Sequence, residues 1–145
     1  MTVKWEIDLK LQAEAIAKNL DKISEVMSQA RSRYGEAKVA FEKQKDSHSV
    51  VIRKKLYEIA TKDEFSQAID PRTGKSNKDW TKLLIDNAMD NDPDVMASYL
   101  LVSNLQQRLS AEEMNVLNVS DEIGVLKARA RLISAICNWS EGSDV

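Results

Sequence analysis

A chain of 145 residues with 30% charged residues, 6% aromatic residues and a formal charge of −2 is one domain's worth of helical composition, long enough to bury a modest core unaided. So balanced a total advertises neither nucleic-acid nor membrane affinity. The single cysteine, Cys137, and the single histidine, His48, exclude an internal disulfide and a zinc site built from thiolates and imidazoles. The opening "MTVKWEIDLK" has no apolar core of signal-peptide length, and no apolar run approaches ~18 residues. The expectation is a protein of a reducing cytoplasm, with no membrane contact, no cofactor, no metal site and no catalytic residue set.

The first element is predicted over residues 6–62. Alternating steps of four and three from Leu9 land on Ala13, Ile16, Leu20, Ile23, Met27, Ala30, Tyr34, Ala37 and Phe41, ten apolar positions in succession. A repeat of 3.5 residues sustained that far marks a long helix burying a narrow stripe against another long helix. The same stepping then meets Gln44, His48, Val51 and Lys55, so the register reads as lost there and as recovered at Ile52, Leu56 and Ile59. Recovery eleven residues beyond Phe41 is the signature of a four-residue stutter in a continuous helix. A break at "SHS", 47–49, is the alternative, and continuity is preferred.

Next comes "DPRTGKSNKDW", 70–80, whose Gly74-Lys75-Ser76 matches the end of a phosphate-binding P-loop. That loop requires a glycine five residues earlier, where Ile69 stands, and a buried strand leading in, where the amphipathic "KDEFSQAI" stands. The motif instead reads as a turn over 70–76, with Pro71 at its second position and Gly74 free to adopt positive φ. Ser76, three residues before Asp79, reads as the cap of a short helix over 77–91 with Trp80, Leu83, Leu84, Ala88 and Met89 on its apolar face.

Asp90, Asp92 and Asp94 have the spacing that opens a calcium-binding EF-hand loop, but the places that need glycine and glutamate hold Val95 and Leu101. Asp92 reads as a cap and Pro93 as the first residue of a helix over 93–139, with 140–145 expected to fray. From Val95 the repeat gives Ser98, Val102, Leu105, Leu109, Glu112, Val116, Val119, Ile123, Leu126, Ala130, Ile133 and Cys137, in which only Ser98 and Glu112 break the apolar run.

The fold class expected is all-α: a long antiparallel helical hairpin with the turn and short helix at its tip, elongated, and a single domain. Its seam, offered also as the self-association seam, comprises Ile16, Leu20, Ile23, Met27, Tyr34, Phe41, Val102, Leu105, Leu109, Val116, Val119, Ile123, Leu126 and Ile133. Leu11, Val39, Leu100, Leu101, Leu117 and Ile136 lie off the seam and widen the apolar stripe beyond what one partner helix needs. A second copy covering them would give a four-helix core and a homo-oligomer.

The remaining chemistry is sparse. Asp46, Ser47, His48 and Ser49 suggest a hydrolytic triad on paper, yet helices joined by short turns supply neither a nucleophile elbow nor an oxyanion loop. Cys137 lies on the seam as a small apolar residue. Glu112 and Glu113 point about 100° apart on a helix and cannot share a proton, so Glu112 reads as a register device or a partner's contact point.

Charge is unevenly spread. Residues 31–62 hold nine basic side chains against four acidic, and residues 84–122 hold eight acidic against Arg108 alone. Side by side in a hairpin, these segments would set pairing orientation. The alternative use of the basic residues Arg31, Arg33, Arg53, Lys54, Lys55, Lys127, Arg129 and Arg131 is to hold nucleic-acid phosphates.

The polar turn, the short helix with "DWTKLLIDNAM" and the long helix ending in "EIGVLKARARLISAI" resemble the small helical-hairpin proteins of unknown function encoded in phage genomes. The resemblance covers roughly residues 55–140 and rests on the order of parts. It implies an accessory protein of a phage that works by contact in the host cytoplasm, with a host protein or a recombination complex, and carries over no catalytic residue. The function expected is thus a non-enzymatic coiled-coil adaptor or inhibitor that binds a protein partner, the alternative being a nucleic-acid-binding accessory of recombination or replication.

Overall fold

The computed structural model describes residues 4–62, 65 and 69–143. Three helices account for nearly all of them: α1 (Lys4–Ala60), α2 (Lys78–Asp90) and α3 (Pro93–Ser143), and no strand occurs among the described residues. The long helices α1 and α3 pack against each other as a helical hairpin, as their heptad seams require. The chain divides into two compact units, a terminal unit of Met1–Glu36 with Ser110–Val145 and a central unit of Ala37–Leu109.

The terminal unit is a pair of helix segments. Met27, Ala30, Val119 and Ile133 are buried in it, and Ile16, Leu20, Ile23, Ile123 and Leu126 are half-buried. Among the described residues of the whole chain, no large side chain is completely buried. Two helices meet along one line, and without a third layer large seam residues such as Ile16, Leu20, Ile23, Ile123 and Leu126 stay partly open to water. Ala30 is completely enclosed because its methyl group leaves the partner helix room to approach closely.

The central unit adds α2 and a turn. Asp70, almost completely buried, organises residues 70–75: its carboxylate Oδ1 accepts the Arg72 N–H at 2.8 Å, its carbonyl accepts from Gly74 at 2.8 Å, and its own N–H donates to the Lys75 carbonyl at 3.0 Å. Gly74 adopts φ +65°, a conformation open to glycine at no steric cost, and Ile69 and Ser76 form an isolated antiparallel bridge. With Ser76 in that bridge, the cap of the short helix falls one residue later than the sequence suggested. Asn77 accepts the Asp79 N–H at 2.9 Å on its side-chain oxygen, and α2 starts at Lys78. Asp92 caps α3 by accepting the N–H groups of Asp94 and Val95 at 2.9 and 3.1 Å, and Pro93 opens the helix as expected.

α1 is continuous through 47–49, the alternative preferred from the sequence: the Ser49 hydroxyl donates back to the Lys45 carbonyl at 3.2 Å within an uninterrupted helix. Gln44, His48, Val51 and Lys55 are half-buried, so the polar stretch after Phe41 is still partly covered. Of the stripe at Ile52, Leu56 and Ile59, Ile59 is buried, and Leu56 shares a surface depression with Thr81, Lys82 and Ile85 of α2. α3 runs to Ser143, four residues beyond the end expected at 139.

Candidate interaction surfaces

Two polar members of the seam, one on each long helix, meet each other. His48 Nδ1 lies 2.8 Å from the Ser98 hydroxyl, and Tyr99 places its ring 6.4 Å from the imidazole. One end of this stretch is closed by Lys55, whose ammonium lies 2.9 Å from Asp94, 3.4 Å from Asp92 and 3.6 Å from Glu58. The hydrogen bond to Asp94 is the largest influence raising the Lys55 pKa from 10.5 to about 12, with Asp92 adding to it and desolvation opposing it. Asp92 is pushed below its usual 3.8, first by the Val95 N–H that it caps, then by the Asp94 N–H and by Lys55, against the opposing effect of desolvation. One carboxylate therefore both caps α3 and ties its start to α1. In the terminal unit, Arg33 and Glu112 make a looser cross-helix pair at 3.7 Å. Ser98 and Glu112, the two polar interruptions of the α3 seam, each meet a polar group of α1.

Ser98 is buried in the second turn of α3, with its hydroxyl on His48, and not on the exposed, strained turn that carries the nucleophile of a hydrolase. The sequence reading set His48 beside Ser47 and Ser49 and missed Ser98; the signal available was that both seams lose their apolar character in the same stretch.

The fourteen seam side chains sit where α1 and α3 of one chain meet, with Met27, Val119 and Ile133 buried and the other eleven half-buried. The basic residues are dispersed. Arg31 and Lys127 share one depression of the terminal unit, beside Asp21, Ser24 and Ser28. Arg129 lies on another, Arg33 faces Glu112, and Lys55 is occupied by three carboxylates while Lys54 stands at the edge of the same depression as Lys55. Arg53 and Arg131 are exposed. Arg31 and Lys127 form one cross-helix pair of cations around a depression, and Lys22 and Arg129 form another.

The two flanks of the seam in the terminal unit differ. On one, the Leu20, Met27 and Ile123 floor is rimmed by Asp21, Ser24, Ser28, Arg31 and Lys127. On the other, a groove is lined by Asn19, Lys22 and Val26 of α1 and by Glu122, Val125 and Arg129 of α3, over Ile23 and Leu126. Arg129 also lines the next depression, with Gln12, Ala15 and Leu132, so the groove continues along the seam. Val125, Leu132 and Trp139 follow one another at intervals of seven on this flank and are all exposed, as are Trp5 and Val26 at the matching repeat of α1.

Among the described residues, no group of three or more His, Cys, Asp or Glu side chains is arranged to hold a metal ion, and no helix is long and apolar enough to cross a membrane. No family model, curated protein or solved structure matches the chain.

Proposed function

We propose that this chain is a non-enzymatic coiled-coil interaction protein, an accessory adaptor or inhibitor of phage type, that self-associates and acts by binding another protein. The observation that carries this reading is the exposure of large apolar side chains: Leu11, Val39, Leu100, Leu101, Leu117, Leu132 and Trp139 are among twenty such residues left in contact with water. Where such side chains gather into a patch they mark an interaction site, and a two-helix seam gains most by adding further helices. The phage assignment rests on the order of turn, short helix and long helix alone.

The test is the solution mass by light scattering over a concentration series at two salt levels. A dimer or larger species whose mass is insensitive to salt is expected, because apolar contacts are not screened. A monomer throughout would remove the self-association reading.

A second reading, nucleic-acid binding, keeps one supporting observation, the placement of Arg31 and Lys127 in one depression. Its signature is affinity for DNA that falls steeply with salt and is lost in Arg31→Glu/Lys127→Glu. Absence of a salt-dependent shift for single- and double-stranded DNA would dismiss it.

A further inference from the structure

The groove flank of the terminal unit has its own chemistry, separate from the general excess of apolar surface. Leu132 and Trp139 are 62% and 76% exposed, and Trp5, Val26, Val125 and Ile136 are each exposed by more than a third. Tryptophan, leucine and isoleucine in such numbers on one flank offer on the order of 600 Å² of accessible apolar surface, taking roughly 200 Å² for a large side chain. A stable protein interface takes about 800 Å² from each partner, somewhat more than half of it apolar. The flank is therefore the size of one complete interface.

The charges on its rim say what kind of partner fits. Lys22 and Arg129 stand with Asp121 and Glu122 around the same groove. A uniformly basic or acidic helix would bring like charges against two of these four. A surface related to this one by a two-fold axis carries the same two cations and two acids, so each cation has an acid available on the other copy. The opposite flank has the more polar rim, made by Asp21, two serines, Arg31 and Lys127.

We propose that this flank, centred on Val125 and Leu132, receives the same flank of a second copy of the chain, turning the two-helix terminal unit into a four-helix core. The inference rests on the self-association reading above and adds its location and symmetry. In the four-helix arrangement the open sides of Ile23, Leu126 and Ile133 gain a third layer, and Trp5 and Trp139 become covered.

The experiment compares the full-length wild type with Leu132→Glu, Val125→Glu and, in the central unit, Leu100→Glu. All three positions are exposed, so circular dichroism should show unchanged helix content. Light scattering is expected to give twice the chain mass for the wild type and for Leu100→Glu. The two terminal-unit variants should dissociate, with the dissociation constant raised on the order of a hundredfold, as for a hot-spot residue. Trp fluorescence of the wild type should shift to the red on dilution through the transition. A dimer left intact by both terminal-unit variants would overturn the assignment of this flank while leaving self-association standing. A wild type monomeric at every concentration would overturn both.

Discussion

The terminal and central units use one heptad repeat with two chemistries. In the terminal unit the buried positions are Met27, Ala30, Val119 and Ile133, and the single polar seam residue, Glu112, reaches out to Arg33. In the central unit the same stepping meets Gln44, His48 and Lys55, answered on α3 by Ser98 and by the capping carboxylate of Asp92. Apolar side chains attract one another at any register that buries them, whereas a hydrogen bond is made at one register only. The difference teaches a division of labour: the terminal unit contributes adhesive surface, and the central unit fixes the alignment of α1 against α3.

The sharpest contrast comes from placing the same charge in each seam. Val119→Asp should cost about 3 kcal/mol or more, because an unpaired carboxylate would enter an apolar contact. Ser98→Asp should cost far less, since His48 stands within hydrogen-bonding distance of that position and can answer the acid with a ring N–H. Urea denaturation of both variants measures the gap, and equal losses would mean that the two seams are not chemically distinct. Next in size is the contact itself. Ser98→Ala alone should cost about 1 kcal/mol by removing the partner of the imidazole. His48→Leu combined with Ser98→Ala should recover that loss, as apolar replacement of buried polar pairs does elsewhere. A double variant no more stable than the single one would show that the imidazole adds packing rather than alignment.

How these seams read from sequence follows from what periodicity detects. The apolar repeat marks both long helices, and the cap at Asp92 and positive φ at Gly74 follow from residue chemistry that needs no tertiary context. The stretch after Phe41 is hard to read because stepping that counts apolar residues cannot tell a lost register from a polar member of the same register. Those polar residues become intelligible only in pairs: His48 has meaning beside Ser98, and Lys55 beside Asp92 and Asp94. Of the apolar residues Ile52, Leu56 and Ile59, the periodicity does not say that Leu56 lies beside α2. The sidedness of the terminal unit was hidden for a related reason. Val125, Leu132 and Trp139 repeat every seven residues, but the repeat does not say that the matching flank of α1 carries Val26 and Trp5 beside them.

The Lys55 cluster extends the comparison to pH. The Asp92 pKa is lowered on folding, so its contribution is present above the ordinary value of 3.8 and is lost as pH falls through the depressed folded value. The Lys55 pKa is raised, so its contribution is complete below the ordinary 10.5 and is lost as pH rises through about 12. The difference in Tm between wild type and Lys55→Met should therefore form a plateau across the neutral range, narrowing in acid and again in strong alkali. Thermal melts over that range provide the check, with a constant difference down to acid pH counting against the carboxylate pairing.

The smallest effect belongs to Arg33 and Glu112, and it tests the division of labour from the other side. Their charged atoms lie 3.7 Å apart, with Arg33 half exposed and Glu112 mostly covered. Water and salt screen such a pair, and ordering two long side chains offsets much of its attraction. A double-mutant cycle through Arg33→Met and Glu112→Gln should give a coupling of at most about 0.5 kcal/mol at moderate salt, decreasing as salt is raised. The corresponding cycle at His48 and Ser98 should be larger, since the Ser98 hydroxyl is buried and its contact with the imidazole is shielded from water. If the Arg33 cycle equalled or exceeded the His48 cycle, alignment would be set by the terminal unit as well, and the polar stretch of the central unit would be a tolerated interruption rather than the device that fixes the register.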